Sequence, residues 1–191
     1  MAERLTGRNS KLRTIRSVTR SELLRGFPPI AAVDSRVLVL GSMPSVASLA
    51  KHEYYGHPRN AFWPIMGRLF DARPELPYRV RTQILRGHGV AVWDVLEQCC
   101  REGSLDTSID QESETPNDFV TFFADHPQLV TIFFNGEKAQ AAFRRHVLPI
   151  IKSSRRGFRY VRLPSTSPAH AGRTFAEKLA AWQAVKRAVV E

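Results

Sequence analysis

Cysteine is scarce in these 191 residues: there are two, Cys99 and Cys100, and they are neighbours. Adjacent cysteines do not readily bridge each other, and two thiols fall short of the four ligands of a structural zinc or iron–sulfur centre. Long apolar runs are also missing. No stretch reaches the roughly 18 residues of a membrane span, and the N-terminus shows no apolar core of a secretory signal. The expectation is a protein of the reducing cytoplasm, nucleoid-associated if the source is prokaryotic, with no membrane partner. Common nucleotide signatures are absent too. Gly87-His88-Gly89 runs on to Val92 where a dinucleotide fingerprint wants its third glycine, and no Gly-Lys-Ser/Thr phosphate loop occurs. There is neither a His-x-Glu with Pro-Cys-x-x-Cys nor a Gly-x-Ser-x-Gly elbow. Ser42 or Ser45 with Asp94 and His170 therefore composes a hydrolase only on paper, and His52 with His57 lacks a third metal ligand of suitable spacing. No cofactor and no metal are expected.

Acidic side chains are under-represented, with Asp plus Glu 18 against Lys plus Arg 28, a net charge of +10 and a pI near 10.3. In a soluble domain that balance points to a polyanionic partner, the plainer alternative being a basic protein with no nucleic-acid role. The charge is unevenly placed. Residues 1–36 hold eight basic and three acidic side chains, 94–125 hold one and nine, and 138–187 hold twelve and one. Arginine supplies 22 of the cations, which suits forked contacts to phosphate.

The chain length fits one domain with one core. Residues 1–25 read as a basic, flexible arm and 26–191 as a single catalytic domain; the acidic stretch 103–117 reads as a surface excursion. Val37–Leu40, ending at Gly41, is a continuous apolar run bounded by turn residues, as in a buried parallel strand. Val90–Trp93, Leu129–Phe134 and Phe158–Leu163 repeat the pattern. Helical patterns intervene: Trp63–Phe70 with Pro64 near its start, Tyr78–Arg86 stopped by Gly87, and Asp118–Ala124 capped by Asn117. A last helix opens on a Thr174/Glu177 capping box and carries Phe175, Leu179, Trp182, Val185 and Val189 on one face. Strands alternating with helices predict a parallel sheet covered on both faces, with ligands bound beyond the carboxyl ends of its strands. Gly41–Ser45, Asp94, Asn135-Gly136 and Pro164–Pro168 all follow strands, and so share that edge. Asp94 alone reads as the cap of a following helix.

Leu40-Gly41-Ser42-Met43-Pro44-Ser45, the ten residues Tyr54-Tyr55-Gly56-His57-Pro58-Arg59-Asn60-Ala61-Phe62-Trp63, and Leu163-Pro164-Ser165-Thr166-Ser167-Pro168-Ala169 together resemble the uracil-DNA glycosylase superfamily, nearest its hypoxanthine-DNA (deoxyinosine) glycosylase branch. Trp93–Leu96, Gly103–Asp106 and Phe134-Asn135-Gly136-x-Lys138-Ala139 extend the resemblance over about residues 35–185. It implies an α/β fold, a three-layer α/β/α sandwich on a four-stranded parallel sheet. It also implies a monomeric, monofunctional DNA repair enzyme that flips a deaminated base, hypoxanthine foremost, out of double-stranded DNA and hydrolyses its glycosidic bond. Uracil or a broad range of deaminated bases is the alternative within the class; a non-catalytic nucleic-acid-binding domain of the same fold is the rival outside it.

Two departures matter. Met43 stands where many relatives carry a polar residue that positions water, so the resemblance implies that this role falls to Asn60, for which helix capping is the plainer alternative and compatible with it. Leu163 stands where several relatives have a histidine, leaving departure of the base to neutral donors. The resemblance then implies a base pocket of Gly41, Ser42, Met43, Tyr55, Phe62 and Asn135, with Asn135 reading the base edge and Phe62 stacking on the ring. DNA contacts fall to Pro44, Ser45, Ser165, Thr166, Ser167, Pro168, His170 and Arg173, with Pro164 and Pro168 stiffening a loop of small donors.

Overall fold

Residues 23–103, 105–151 and 157–191 are described by a computed structural model. The basic arm lies outside them as far as Glu22. Its expected last residues belong to the fold: Leu23–Arg25 is strand β1. The order continues β2 (Val37–Gly41), α1 (Val46–Lys51), α2 (Phe62–Phe70), α3 (Tyr78–Gly87), β3 (Val90–Asp94), β4 (Leu96–Cys100), β5 (Thr115–Pro116), α4 (Phe119–Asp125), β6 (Thr131–Asn135), α5 (Glu137–Ala142), α6 (Leu148–Ile151), β7 (Arg159–Leu163) and α7 (Phe175–Val190). Phe143–Val147 joins α5 to α6 as a π-helical turn.

The four apolar runs form one parallel sheet in the order β3-β2-β6-β7. β2 and β3 are buried throughout, which is why they read as unbroken apolar runs, whereas the edge strand β7 exposes Arg159, Tyr160 and Arg162. From β2 the chain crosses to β3 on one side, and from β6 to β7 on the other. Right-handed crossovers therefore put α1–α3 on one face and α5–α6 on the opposite face. α7 returns to pack on α2, β2 and β7, and α4 packs on α6, completing the three layers. Trp182 of α7 and Phe62 of α2, both wholly buried, meet edge to face at 5.8 Å.

A second sheet was not legible. β1, β4 and β5 form a small antiparallel sheet, and β4 begins two residues after β3 ends. Asp94 therefore caps no helix; it is the buried last residue of β3. The carboxyl of Asp118 caps α4 by accepting from Thr121 N–H, while the Asn117 side chain donates instead to the Asp94 carbonyl. The acidic excursion is likewise structural. Glu114, its side chain fully buried, accepts from Lys138 of α5 and from Arg145 and His146 of the π turn. One carboxylate thus bolts the small sheet to the far helical layer.

Burial alone would raise the Glu114 carboxyl. Hydrogen bonds from Lys138 and His146 and the charges of Lys138 and Arg145 outweigh it, and the group sits below its usual 4.5. A carboxyl depressed in the folded state contributes stability that is complete above its unfolded value and is lost as pH falls through the folded one. Acid unfolding should therefore steepen below about pH 4.5. In Glu114→Gln that component is expected to vanish, with stability at neutral pH lower by about 1–3 kcal/mol because half-buried Lys138 and His146 and exposed Arg145 lose their charged partner. Urea titrations at pH 7 and pH 3.5 check both; equal pH dependence in the two proteins would refute the assignment.

Candidate active site

The strand order reverses direction between β2 and β6, so the loops leaving these neighbours diverge and open a crevice at their carboxyl ends. A cavity of about 300 Å³ occupies it. Gly41–Ser45 forms one wall; Asn135–Lys138 forms the next; Ser165–Ser167, Ala169 and His170 close a third. Tyr54, Tyr55, Asn60, Asp94, Leu105 and Thr107 complete it.

Gly41 is needed where it stands, because a side chain there would collide with the Asp94 carboxylate and press on the Tyr55 hydroxyl. Gly136 has a φ of +99°, and a β-carbon on it would come within 3.0 Å of Ser165. Behind the wall, Arg101 is buried and donates to the Pro44 carbonyl at 2.6 Å, fixing the Gly41–Ser45 loop from the small sheet. The turn at Tyr54-Tyr55 is held from several directions: Trp63 Nε1 donates to the Tyr54 carbonyl, the Tyr78 hydroxyl accepts from Tyr54 N–H, and the Tyr54 hydroxyl donates to the Phe27 carbonyl. That support keeps Tyr55 at a φ of +57°, in the left-handed region. Burial and the nearby Asp94 carboxylate push the Tyr54 hydroxyl well above its ordinary pKa, so it stays protonated as a donor.

The two asparagines are each held in one orientation by groups that permit no flip. Phe62 N–H donates to Asn60 Oδ1 at 3.0 Å. Thr166 N–H donates to Asn135 Oδ1 at 2.8 Å, and Asn135 Nδ2 donates to the Thr166 hydroxyl at 2.9 Å. A backbone N–H can only donate, so the amide oxygen must face it in both cases. The Thr166 carbonyl also accepts from Ala61 N–H, the residue after Asn60. A single buried residue therefore ties the end of β6 to the start of α2. Asn60 combines a bond at the helix start with a place on the cavity wall.

Several expected roles are corrected by burial. Phe62 is wholly buried and absent from the cavity wall; its ring stacks against Tyr55 at 3.9 Å, and Tyr55 presents the aromatic surface to the cavity. Thr166 is 1% exposed and engaged on both sides, so it is no phosphate contact, and Pro44 is buried as well. Ser45 accepts from Ser48 N–H as the cap of α1. Ser165 and Ser167 accept from Ser167 N–H and Ala169 N–H, bracing their own loop, with Pro168 partly exposed beside them. His170 and Arg173 are exposed, and Arg173 lies outside the cavity. Gly41, Ser42 and Met43 line the cavity as buried residues, whereas Leu163, paired in register with Asn135, does not. Sequence reasoning placed Asp94 on this edge without a wall role, quoted the stretches that hold Leu105 and Lys138 without giving either a role, and passed over Thr107.

The chain matches the profile of the uracil DNA glycosylase superfamily over residues 28–186. The chain belongs to that superfamily. It is 34% identical over 165 residues to a Methanosarcina acetivorans protein named hypoxanthine DNA glycosylase, covering 85% of this chain and 98% of the relative. A Methanosarcina barkeri protein of the same name is 36% identical over 116 residues, 60% of this chain and 72% of that one. Among solved structures, the solution NMR structure of an M. acetivorans protein provisionally described as a uracil DNA glycosylase superposes with a TM-score of 0.72 at 31% identity, over 89% of this chain and all of that one. The chain is thus a DNA glycosylase, and its substrate is DNA.

Removing the Thr166 hydroxyl would leave the half-buried Asn135 Nδ2 short of an acceptor, at about 0.5–1.5 kcal/mol. Thr166→Val should lose stability in that range by denaturant titration, and Thr166→Ser should recover most of it. A Thr166→Val protein as stable as the parent would show that the bond carries no weight.

Proposed function

We propose that this glycosylase releases hypoxanthine from deoxyinosine in DNA, holding the flipped base in the cavity while a water on Asn60 attacks the sugar. The observation that carries the reading is the fixed orientation of two carboxamides on one cavity wall system. Asn60 Oδ1 has one lone pair engaged by Phe62 N–H and a second left to accept from a water. Asn135 retains one N–H and one lone pair, a donor and an acceptor side by side. O6 and N1–H of hypoxanthine present the complementary pair, and the Tyr55 ring supplies a stacking surface. The substrate is read as deoxyinosine in a duplex, taken out of the stack because the glycosidic bond is inaccessible within it.

In the reaction the water oxygen bonds to C1′ and the electrons of the C1′–N bond leave with the base, which takes up a proton. Asn60 polarises the water modestly and mainly orients it, so geometry carries more of the rate than basicity. Lys138, the lysine on the cavity wall, has its ammonium committed to Glu114, an arrangement suited to charge rather than to attack as a free amine. That supports a monofunctional enzyme.

Uracil offers O4 and N3–H in the same order, so Asn135 accepts both bases. Preference for the purine rests on the names of the relatives and on a wide pocket, in which a smaller base leaves C1′ displaced from the water. Misplacement by about 1 Å lowers rate roughly 10²-fold.

Matched duplexes carrying one inosine or one uracil, assayed under single-turnover conditions, test the reading: release of inosine's base should be faster, and equal or faster release of uracil overturns the specificity. Asn60→Ala should slow release about 10²–10³-fold while duplex affinity changes only a few-fold. An active Asn60→Ala protein would remove the water-holder. Affinity for duplex should fall with salt at a slope near −0.9 per phosphate neutralised, and a flat dependence would mean the DNA face is misassigned.

A further inference from the structure

The carboxylate of Glu114, its side chain wholly buried, faces three side chains of the helical layer: Lys138, Arg145 at 3.0 Å and His146 at 2.7 Å. At neutral pH Lys138 and Arg145 alone exceed its single negative charge, so the cluster keeps a positive surplus. Arg145 is exposed and meets solvent, whereas Lys138 is half-buried and belongs to the cavity wall. Among the described residues it is the one lysine or arginine on that wall. The turn after β6 puts it there. Gly136, at a φ of +99°, breaks the strand after Asn135, and Lys138 follows as the second residue of α5. Glu114 takes one of the three N–H groups of the ammonium and leaves two. It also fixes the end of a flexible four-carbon stem. The acidic side chains of the wall, Asp94 and Glu137, oppose an anion, and His170 stands exposed where solvent screens it. Leu163 lies buried beside Asn135 and offers no side-chain donor.

We propose that Lys138 is a catalytic residue that stabilises the base as it leaves, its ammonium held by Glu114 so that the free N–H groups meet the negative charge carried away from C1′. The inference rests on the reading of this cavity as the base pocket, and not on which base it takes. As the water oxygen bonds to C1′ and the C1′–N bond breaks, the electron pair of that bond stays on the base. The charge spreads over the ring nitrogens and the carbonyl oxygen, the edge that Asn135, three residues before Lys138, is proposed to read. Lys138 keeps its proton throughout. The attacking water loses a proton to solvent, and the freed base takes one up from solvent. Asn135 supplies a neutral donor, and a bond from an ammonium to an anion is roughly twice as strong. A positive group already fixed in a cavity needs no reorganisation when the charge develops, which is where such groups lower a barrier most.

A charge that acts only as electrons move onto the base speeds the reaction without tightening the ground-state complex. Single-turnover release should therefore fall about 10²-fold in Lys138→Gln, which keeps a donor for Glu114 but no charge, and Lys138→Arg should recover most of the rate. Affinity for a duplex whose target nucleotide carries a 2′-fluorine, and so resists hydrolysis, should change only a few-fold in both. Lys138→Met gives a second neutral side chain for the same comparison, with the folded fraction of each variant set by denaturant titration. Equal losses in the Gln and Arg variants would make Lys138 a structural bolt. A loss confined to affinity, with the salt slope shallower by about one, would make it a phosphate contact. Unchanged release would make it idle, and each of these three results overturns the proposal. The duplexes carry one inosine or one uracil. A wild-type protein that prefers uracil ends the hypoxanthine reading and leaves Lys138 to be judged on uracil release; one that releases neither base leaves no departing charge and ends both.

Discussion

Three hydrogen bonds converge on Thr166, and the geometry of the cavity depends on them. Its N–H and hydroxyl grip the Asn135 carboxamide, and its carbonyl accepts from Ala61 N–H. Asn135 ends a strand, and Ala61 opens a helix on another layer. The loop after β7 thus sets the distance between Asn135 and Asn60, the proposed base reader and the proposed water holder. Rigid support of this kind is worth more to a hydrolytic site than a stronger base would be, because the rate depends on a near-attack arrangement. Trp182 extends the support by donating to the Pro164 carbonyl, and Lys178 by donating to the His170 carbonyl, so α7 clamps both ends of the same loop. Burial lowers the pKa of Lys178, the cost of placing an ammonium there.

Charge is organised around the same edge. Cations dominate the C-terminal half, where His170 and Arg173 are exposed beside the cavity. Acidic residues gather in 94–125, and one buried member, Glu114, is surrounded by Lys138, Arg145 and His146. That carboxylate neutralises part of a positive cluster while leaving a surplus near the cavity. The arrangement joins the two sides of the cavity's support: the cross-link that holds the small sheet also fixes the wall lysine.

The parallel sheet was legible because both its faces are buried. A strand with no solvent side must be apolar at every position, and Val37–Leu40 and Val90–Trp93 could be read for that reason. The small antiparallel sheet was illegible for the converse reason. Leu96–Cys100 mixes buried and exposed positions in a polar sequence, and its partners are two and three residues long. Pairing partners so distant in sequence leave no local signal.

At the site, the sequence alone determined which loops meet, since loops that follow parallel strands must emerge at one edge, and it determined the chemistry on offer in Asn60, Asn135 and the glycines. Only the tertiary structure decided which side of the wall each residue occupies. Phe62 and Tyr55 are seven residues apart and stack on each other, so one of them had to be core and the other wall; helix packing against Trp182 buried Phe62 and left Tyr55 to the cavity. Thr166 looked like a surface donor among serines, and became the interior link because Asn135 and Ala61, 31 residues before it on one strand and far earlier on a helix, converge there. Burial and orientation are properties of contacts between distant segments, and neither is written in the spacing of residues along the chain.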